Sequence, residues 1–201
     1  MVALSDEPMT WVMAGDSITQ AVHHTHGARG WVEHVQERLC WQLGRLTDVV
    51  VNSGVSGWTA TDMLGAYEFR IGRFTPDVLS LSLGTNDALA GSDGLERFRG
   101  AMREIIARSA GAQIVLHTPL VVSHGERAAR AGLPAYCQAV RDLAEETGAL
   151  LVDHEADWLA HFPDREALAW LDDPAHPNAA GHLHLANHTL RTLGLGELTE
   201  L

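Results

Sequence analysis

Four short stretches of this chain hold side chains that could act together on an acyl group. "GDS" at 15–17 offers a hydroxyl, Ser17, directly after a carboxylate, Asp16. "NSGVSGW" at 52–58 offers Gly54 and Gly57 ahead of Trp58. "GTND" at 84–87 offers the amide of Asn86, and "DDPAHPN" at 172–178 sets Asp173 three residues before His176. A serine hydroxyl is a poor nucleophile until a base takes its proton, which a neutral imidazole such as His176 can do. That imidazole works best when a carboxylate fixes its tautomer and stabilises the imidazolium, and Asp173 can reach it across a turn. The tetrahedral intermediate of acyl transfer then needs hydrogen-bond donors for its oxyanion. The N–H of Ser17, the N–H of Gly57 and the side-chain amide of Asn86 would supply three. A glycine at 57 suits the task because a residue without Cβ lets the backbone approach a ligand closely.

Each residue also has a plainer use. Ser17 could be a helix N-cap, with Asp16 as the alternative cap. Asn86 and Asp87 could cap the segment that follows them, and Asp172 reads as a solvated or capping residue. Placement along the chain decides between these uses.

Short apolar runs recur at 11–15 (WVMAG), 48–54 (DVVVNSG), 77–84 (DVLSLSLG), 113–119 (QIVLHTP) and 149–153 (ALLVD). Their length and their richness in Val, Leu and Ile predict strands covered on both faces. Amphipathic stretches lie between them. Trp31, Val35, Leu39 and Leu43 fall four apart, with Trp41 in the same stretch and also read as a core residue. Leu95, Phe98, Met102 and Ile105/Ile106 share a face, residues 136–148 end on Gly148 as a C-cap, and a last helix fits Asn178 to Gly194. The alternation predicts an α/β fold, a three-layer α/β/α sandwich of flavodoxin-like kind around a mainly parallel five-stranded sheet. Such sheets bind ligands beyond the carboxyl ends of their strands, where these four stretches fall. No repeat or linker divides the chain, so 1–201 reads as one domain.

In this order the four stretches resemble the marker blocks of the SGNH hydrolases, the GDSL-type esterases and lipases, whose marker residues are serine, glycine, asparagine and histidine. The resemblance runs from Gly15 to His176. It implies Ser17 as nucleophile, Gly57 and Asn86 as oxyanion donors, His176 as base and Asp173 as its orienter. The family's spacing selects Gly57 over Gly54 and leaves Gly54 to the turn. The family's three-layer fold agrees with the alternation, and its members need no metal or organic cofactor. The implied reaction is hydrolysis of carboxylic esters through an acyl-enzyme. With no lid-like insertion, small or short-chain acyl esters are expected, for example acetyl esters of sugars or small alcohols. A thioesterase or lysophospholipase of the same fold, and an inactive ligand-binding module, are the alternatives.

Twelve histidines raise the question of a metal. The candidates are "HHTH" at 23–26 and the pair His184/His188; the pair has no HExxH glutamate and no evident third ligand, "HHTH" reads as a polar pocket loop, and no metal is expected. The loop of "HHTH" follows Ser17, so His24 is a substrate-pocket candidate together with Asp16 and Trp58; for Trp58, pocket and core are both open. His182 reads as helix packing, Trp31 as core, and Trp170 as packing beneath the loop of His176.

Composition bounds the rest. Hydrophobic residues at 46% and charged residues at 20% are the balance of a folded globular chain. A formal charge of −12 without a basic block argues against nucleic-acid or anionic-membrane surfaces and leaves a small-molecule ester as the expected partner. Cys40 and Cys137 form no CxxC pair and read as buried thiols. With no basic, apolar leader pattern and no apolar run of about 20 residues, the cytoplasm is the expected address.

Overall fold

The apolar strand that leads into Ser17 lies inside the sheet, with a neighbour on each side. The computed structural model describes residues 1–120, 122–163 and 167–199. Its strands are β1 (Thr10–Gly15), β2 (Val49–Asn52), β3 (Val78–Ser82), β4 (Gln113–His117) and β5 (Leu150–Val152). They form one five-stranded sheet in the order β2-β1-β3-β4-β5, every pair parallel. Parallel strands need crossovers, and here helices supply them on both faces.

The helices are α1 (Ser17–Gln20), α2 (Trp31–Glu37), α3 (Ala60–Gly65), α4 (Tyr67–Arg70), α5 (Leu95–Arg108), α6 (Leu133–Thr147), α7 (His154–His161) and α8 (Ala179–Leu193). Side chains alternate across a strand, so β1 serves two cores at once. Val12 and Ala14 join Met63, Phe98, Met102 and Val140 beneath α3 to α6. Trp11 and Met13 join Val35, Leu39, Trp158 and Leu190 beneath α2, α7 and α8. Each large apolar side chain so enclosed contributes about 1.5–3 kcal/mol relative to exposure. This is the expected three-layer α/β/α sandwich. No helix among the described residues is long and apolar enough to cross a membrane.

Two expectations are corrected. The run at 48–54 is not covered on both faces: β2 is the edge strand, with only β1 beside it, and Val49 is 53% exposed. Trp41 is not core either but 69% exposed, and Leu43 lies at the surface too. Trp41 stands two residues past Leu39, about 200° around a regular helix and off its apolar stripe. Leu43 follows a π-helical turn over Arg38–Gln42, where its N–H donates to the Arg38 carbonyl at 2.9 Å, five residues back, so a spacing of four stops tracking burial after Leu39.

Other local signals hold. Gly148 ends α6 at φ 70° and Gly194 ends α8 at φ 78°. Asn178 opens α8 by accepting the Gly181 N–H at 3.0 Å. His182 is buried and its Nδ1 accepts the Trp31 N–H at 3.3 Å, tying α8 to α2. Cys40 and Cys137 are free and buried.

Candidate active site

At the carboxyl end of β1 the chain must turn in little space. A Cβ on Gly15 would lie 2.7 Å from the Ser82 carbonyl and 2.1 Å from Thr19 Oγ1. Asp16, not Ser17, is the N-cap of α1: its Oδ1 accepts the Ile18 N–H at 2.9 Å. The Ser17 hydroxyl is therefore spared capping and lies 2.8 Å from His176 Nε2.

The histidine comes from a loop that holds its own shape. Leu171 pairs with Pro177, and the Asp172 N–H donates to the His176 carbonyl at 2.8 Å. Asp173 Oδ1 accepts the Ala175 N–H at 2.8 Å and the His176 N–H at 2.9 Å. His176 Nδ1 lies 2.9 and 2.8 Å from the two oxygens of the same carboxylate. A carboxylate can only accept, so Nδ1 carries the proton and Nε2 faces Ser17 with its lone pair. Burial pushes the Asp173 carboxyl up, but the Ala175 N–H and the His176 ring and N–H outweigh it and hold it below the ordinary carboxylate range.

The two adjacent strands bring the donors. β2 flanks β1 on one side and β3 on the other, and the Val55 N–H donates to the Gly15 carbonyl at 3.0 Å, drawing the Gly54–Gly57 turn against Ser17. The two glycines of that turn differ. A Cβ on Gly54 would lie 2.5 Å from the Gln20 backbone nitrogen, so Gly54 permits the packing of the turn on α1. Gly57 has φ +80° and open space where a Cβ would stand. Among the described residues, no acceptor is found for the N–H of Gly57 or of Ser17. Asn86 Nδ2 donates one hydrogen to the Trp58 carbonyl at 3.0 Å and keeps a second. Asp87 caps a different helix from the one expected: it accepts the Ala60 N–H at 3.1 and 3.2 Å and so joins the β3 loop to the start of α3.

A cleft of about 410 Å³ opens beside Ser17, lined among others by Gln20, His23, His24 and Ser56. Of the three pocket candidates, His24 is in its wall; its ring stacks on His176 with centroids 3.5 Å apart and planes 5° from parallel. Asp16 is buried beneath the cleft as a cap. Trp58 is half-buried against the α3–α6 core with the Arg70 guanidinium 5.2 Å from its ring. The sequence marked His26 only as part of "HHTH" and did not show its partner: its Nε2 lies 2.8 Å from Asp172 Oδ1 and fastens that loop to the His176 loop. Nor did it show Asp87 bonding to Ala60; the density of polar side chains at 23–26 was the one usable signal.

Burial pushes the Asp16 carboxyl up to about 7, with Asp87 adding to the effect. A carboxyl raised in the fold binds a proton that the unfolded chain has released, so stability declines as pH rises from about 4 to 7. Asn at this position keeps the cap and removes the titration. We expect the Tm of Asp16→Asn to exceed that of the wild type increasingly over this range, by an amount on the order of 4 kcal/mol in stability above pH 7. The difference cancels the opposite contribution of His117, which burial holds at about 3. A constant difference from pH 4 to 8, followed by circular dichroism melts, would count against a buried, protonated Asp16.

A hydroxyl, an imidazole and a carboxylate in line at the carboxyl edge of a parallel sheet, inside a three-layer α/β/α sandwich, are an arrangement of the kind serine hydrolases use. The chain belongs to the GDSL-like lipase/acylhydrolase family, whose family model matches residues 13–183, and it is a carboxylic ester hydrolase. It is 31% identical over 181 residues to an acetylxylan esterase of Geobacillus stearothermophilus, covering 82% of this chain and 81% of that protein. The solved structure of Axe2, an acetylxylan esterase from the same organism, superposes with a TM-score of 0.78 at 25% identity, over 95% of this chain and 97% of that one. LAE5, an alpha/beta hydrolase enzyme from the metagenome of Lake Arreo, Spain, superposes with a TM-score of 0.80 at 27% identity, over 93% and 95%.

Proposed function

We propose that this esterase removes acetyl and other short acyl groups from esters of sugars or small alcohols, with Ser17 as its nucleophile. The observation that carries the reading is the line from Ser17 Oγ through the His176 ring to Asp173, 2.8 Å at each end. His176 Nε2 takes the hydroxyl proton as Oγ bonds to the ester carbonyl carbon. The N–H groups of Ser17 and Gly57 and the second hydrogen of Asn86 Nδ2 receive the oxyanion. The carbon–oxygen bond to the alcohol breaks as His176 returns the proton to it. Water, deprotonated by the same nitrogen, then bonds to the acyl carbon, and the carbon–Oγ bond breaks as His176 returns the proton to Ser17 Oγ and the acid leaves.

Two further findings support the reading. Solved variants of Axe2 described as catalytic mutants replace a serine, an aspartate and a histidine, the last two separated by three positions as Asp173 and His176 are. The cleft beside Ser17 is open, with the hydrogen-bonding side chains of Gln20, His23, His24 and Ser56 set beside Ala21 and Val22, which suits a compact acyl group on a hydroxylated alcohol.

Rates on p-nitrophenyl esters from acetate to palmitate test the acyl preference, with acetylated xylo-oligosaccharide as the sugar ester. kcat/KM should be highest at acetate and fall with chain length; a maximum at long chains overturns the short-acyl reading. For the donor, Asn86→Ala should lower kcat by roughly 10²–10³-fold, the usual effect of deleting one oxyanion donor. A change confined to KM would instead make Asn86 a binding group.

A further inference from the structure

Away from Ser17, the end of α7 meets the middle of α8 over a group of unlike ligand atoms. Asp157 and His161 stand one turn apart on α7, and His184 projects from α8. One ligand atom from each of Asp157, His161 and His184 lies within 4.8 Å of the others. His184 Nε2 hydrogen-bonds to Asp157 Oδ2, and the His161 Nδ1 lies 2.9 Å from the Asp157 carbonyl oxygen, which fixes its ring. Arg191 approaches the other carboxylate oxygen, Oδ1, at 4.0 Å, so the contact with His184 falls to Oδ2.

We propose that Asp157, His161 and His184 bind a zinc-class divalent cation that clamps α7 to α8. Two imidazoles and one carboxylate are a borderline-soft donor set suited to zinc, with a fourth position for water. The exposed side chain of His161 gives the ion a way in, while Asp157 and His184, 16% and 15% exposed, keep the other two ligands oriented. The sequence pair His184/His188 is not itself the site. His188 Nδ1 lies 3.0 Å from His154 Nδ1 and 3.9 Å from Asp157 Oδ2, at the edge of the group rather than within it, and the missing ligands come from α7. The clamp would sit against Trp170, whose ring stacks on His184 with centroids 4.0 Å apart and planes at 27°. Trp170 also accepts the Asn178 N–H at 2.9 Å, and the bridge between Leu171 and Pro177 closes the His176 loop immediately beyond it. The ion therefore braces the base of the loop that carries Asp173 and His176.

The test is calorimetric titration of chelator-stripped full-length enzyme with zinc chloride, joined to thermal melts. One saturable equivalent should bind, and zinc at about a hundred times its Kd should raise Tm by roughly 5–10 °C. His161→Ala and His184→Ala should each weaken binding at least tenfold, and His24→Ala should leave it unchanged. The His161 variant is decisive for folding as well, because its side chain is exposed; its far-ultraviolet circular dichroism should match the wild type. Absence of saturable binding, or binding retained in both α7/α8 variants, overturns the proposal. So does binding lost only in His24→Ala, which would put the ion on the other group of this kind, His24, Asp173 and His176.

Discussion

Ser17→Ala is expected to lower kcat on p-nitrophenyl acetate by about 10⁶-fold while the protein stays folded. A nucleophile and its base act as a unit, so removing the hydroxyl forfeits nearly all that the pair supplies and leaves only the oxyanion donors and binding. The fold has little stake in this hydroxyl. Asp16 caps α1, and among the described residues the Ser17 Oγ hydrogen-bonds to His176 alone. Losing one such hydrogen bond costs about 1 kcal/mol, or a fall in Tm of roughly 2–4 °C. Single-turnover rates and a melt of the same preparation separate the two effects. A loss of less than about a hundredfold in a folded variant would remove Ser17 from the role proposed for it.

Asp173→Asn is the second large effect, a fall in kcat of about 10⁴-fold with KM nearly unchanged. Its reason is a proton's position. Asp173 uses Oδ1 to accept the Ala175 and His176 N–H groups, and an asparagine oxygen can keep both bonds and the loop with them. The amide nitrogen would then face His176 Nδ1, a donor where the carboxylate accepted. To accept from that nitrogen the imidazole carries its proton on Nε2, the atom 2.8 Å from Ser17 Oγ, and in that tautomer it cannot take the hydroxyl proton. Steady-state kinetics on the acetate ester check this, with a thermal melt showing that the loop survives. More than a tenth of wild-type kcat in the asparagine variant would mean that Asp173 only shapes the loop.

Both predictions lean on residues that were legible before any coordinates. The four motifs could be read because each is local: an apolar strand, then a turn whose few residues carry the polar groups. Asp173 and His176 share one loop, so their partnership needed only a spacing of three. Caps were readable for the same reason, Gly148 and Gly194 by their freedom at positive φ and Asn178 by its side-chain acceptor. Trp41 shows the limit of local reading. Its apolar type suggested core, but it stands about 200° around the helix from Leu39, and that position puts its indole in solvent.

The sequence by itself determined the strands, most of the helices, the order of the motifs and the residue types that meet at the sheet's edge. These follow from short-range sterics and from the period with which apolar side chains recur. Only the tertiary structure decided which of two adjacent residues caps α1, which glycine of 54 and 57 is pressed against Gln20, and that His24 lies flat on His176. It also decided that Asp157 and His161 complete a ligand set with His184. Apart from the cap, those are contacts between segments up to 152 residues apart, set by strand order, register and the packing of helices on the sheet. Spacing along the chain carries no record of such distances, because each depends on where every intervening element is laid down.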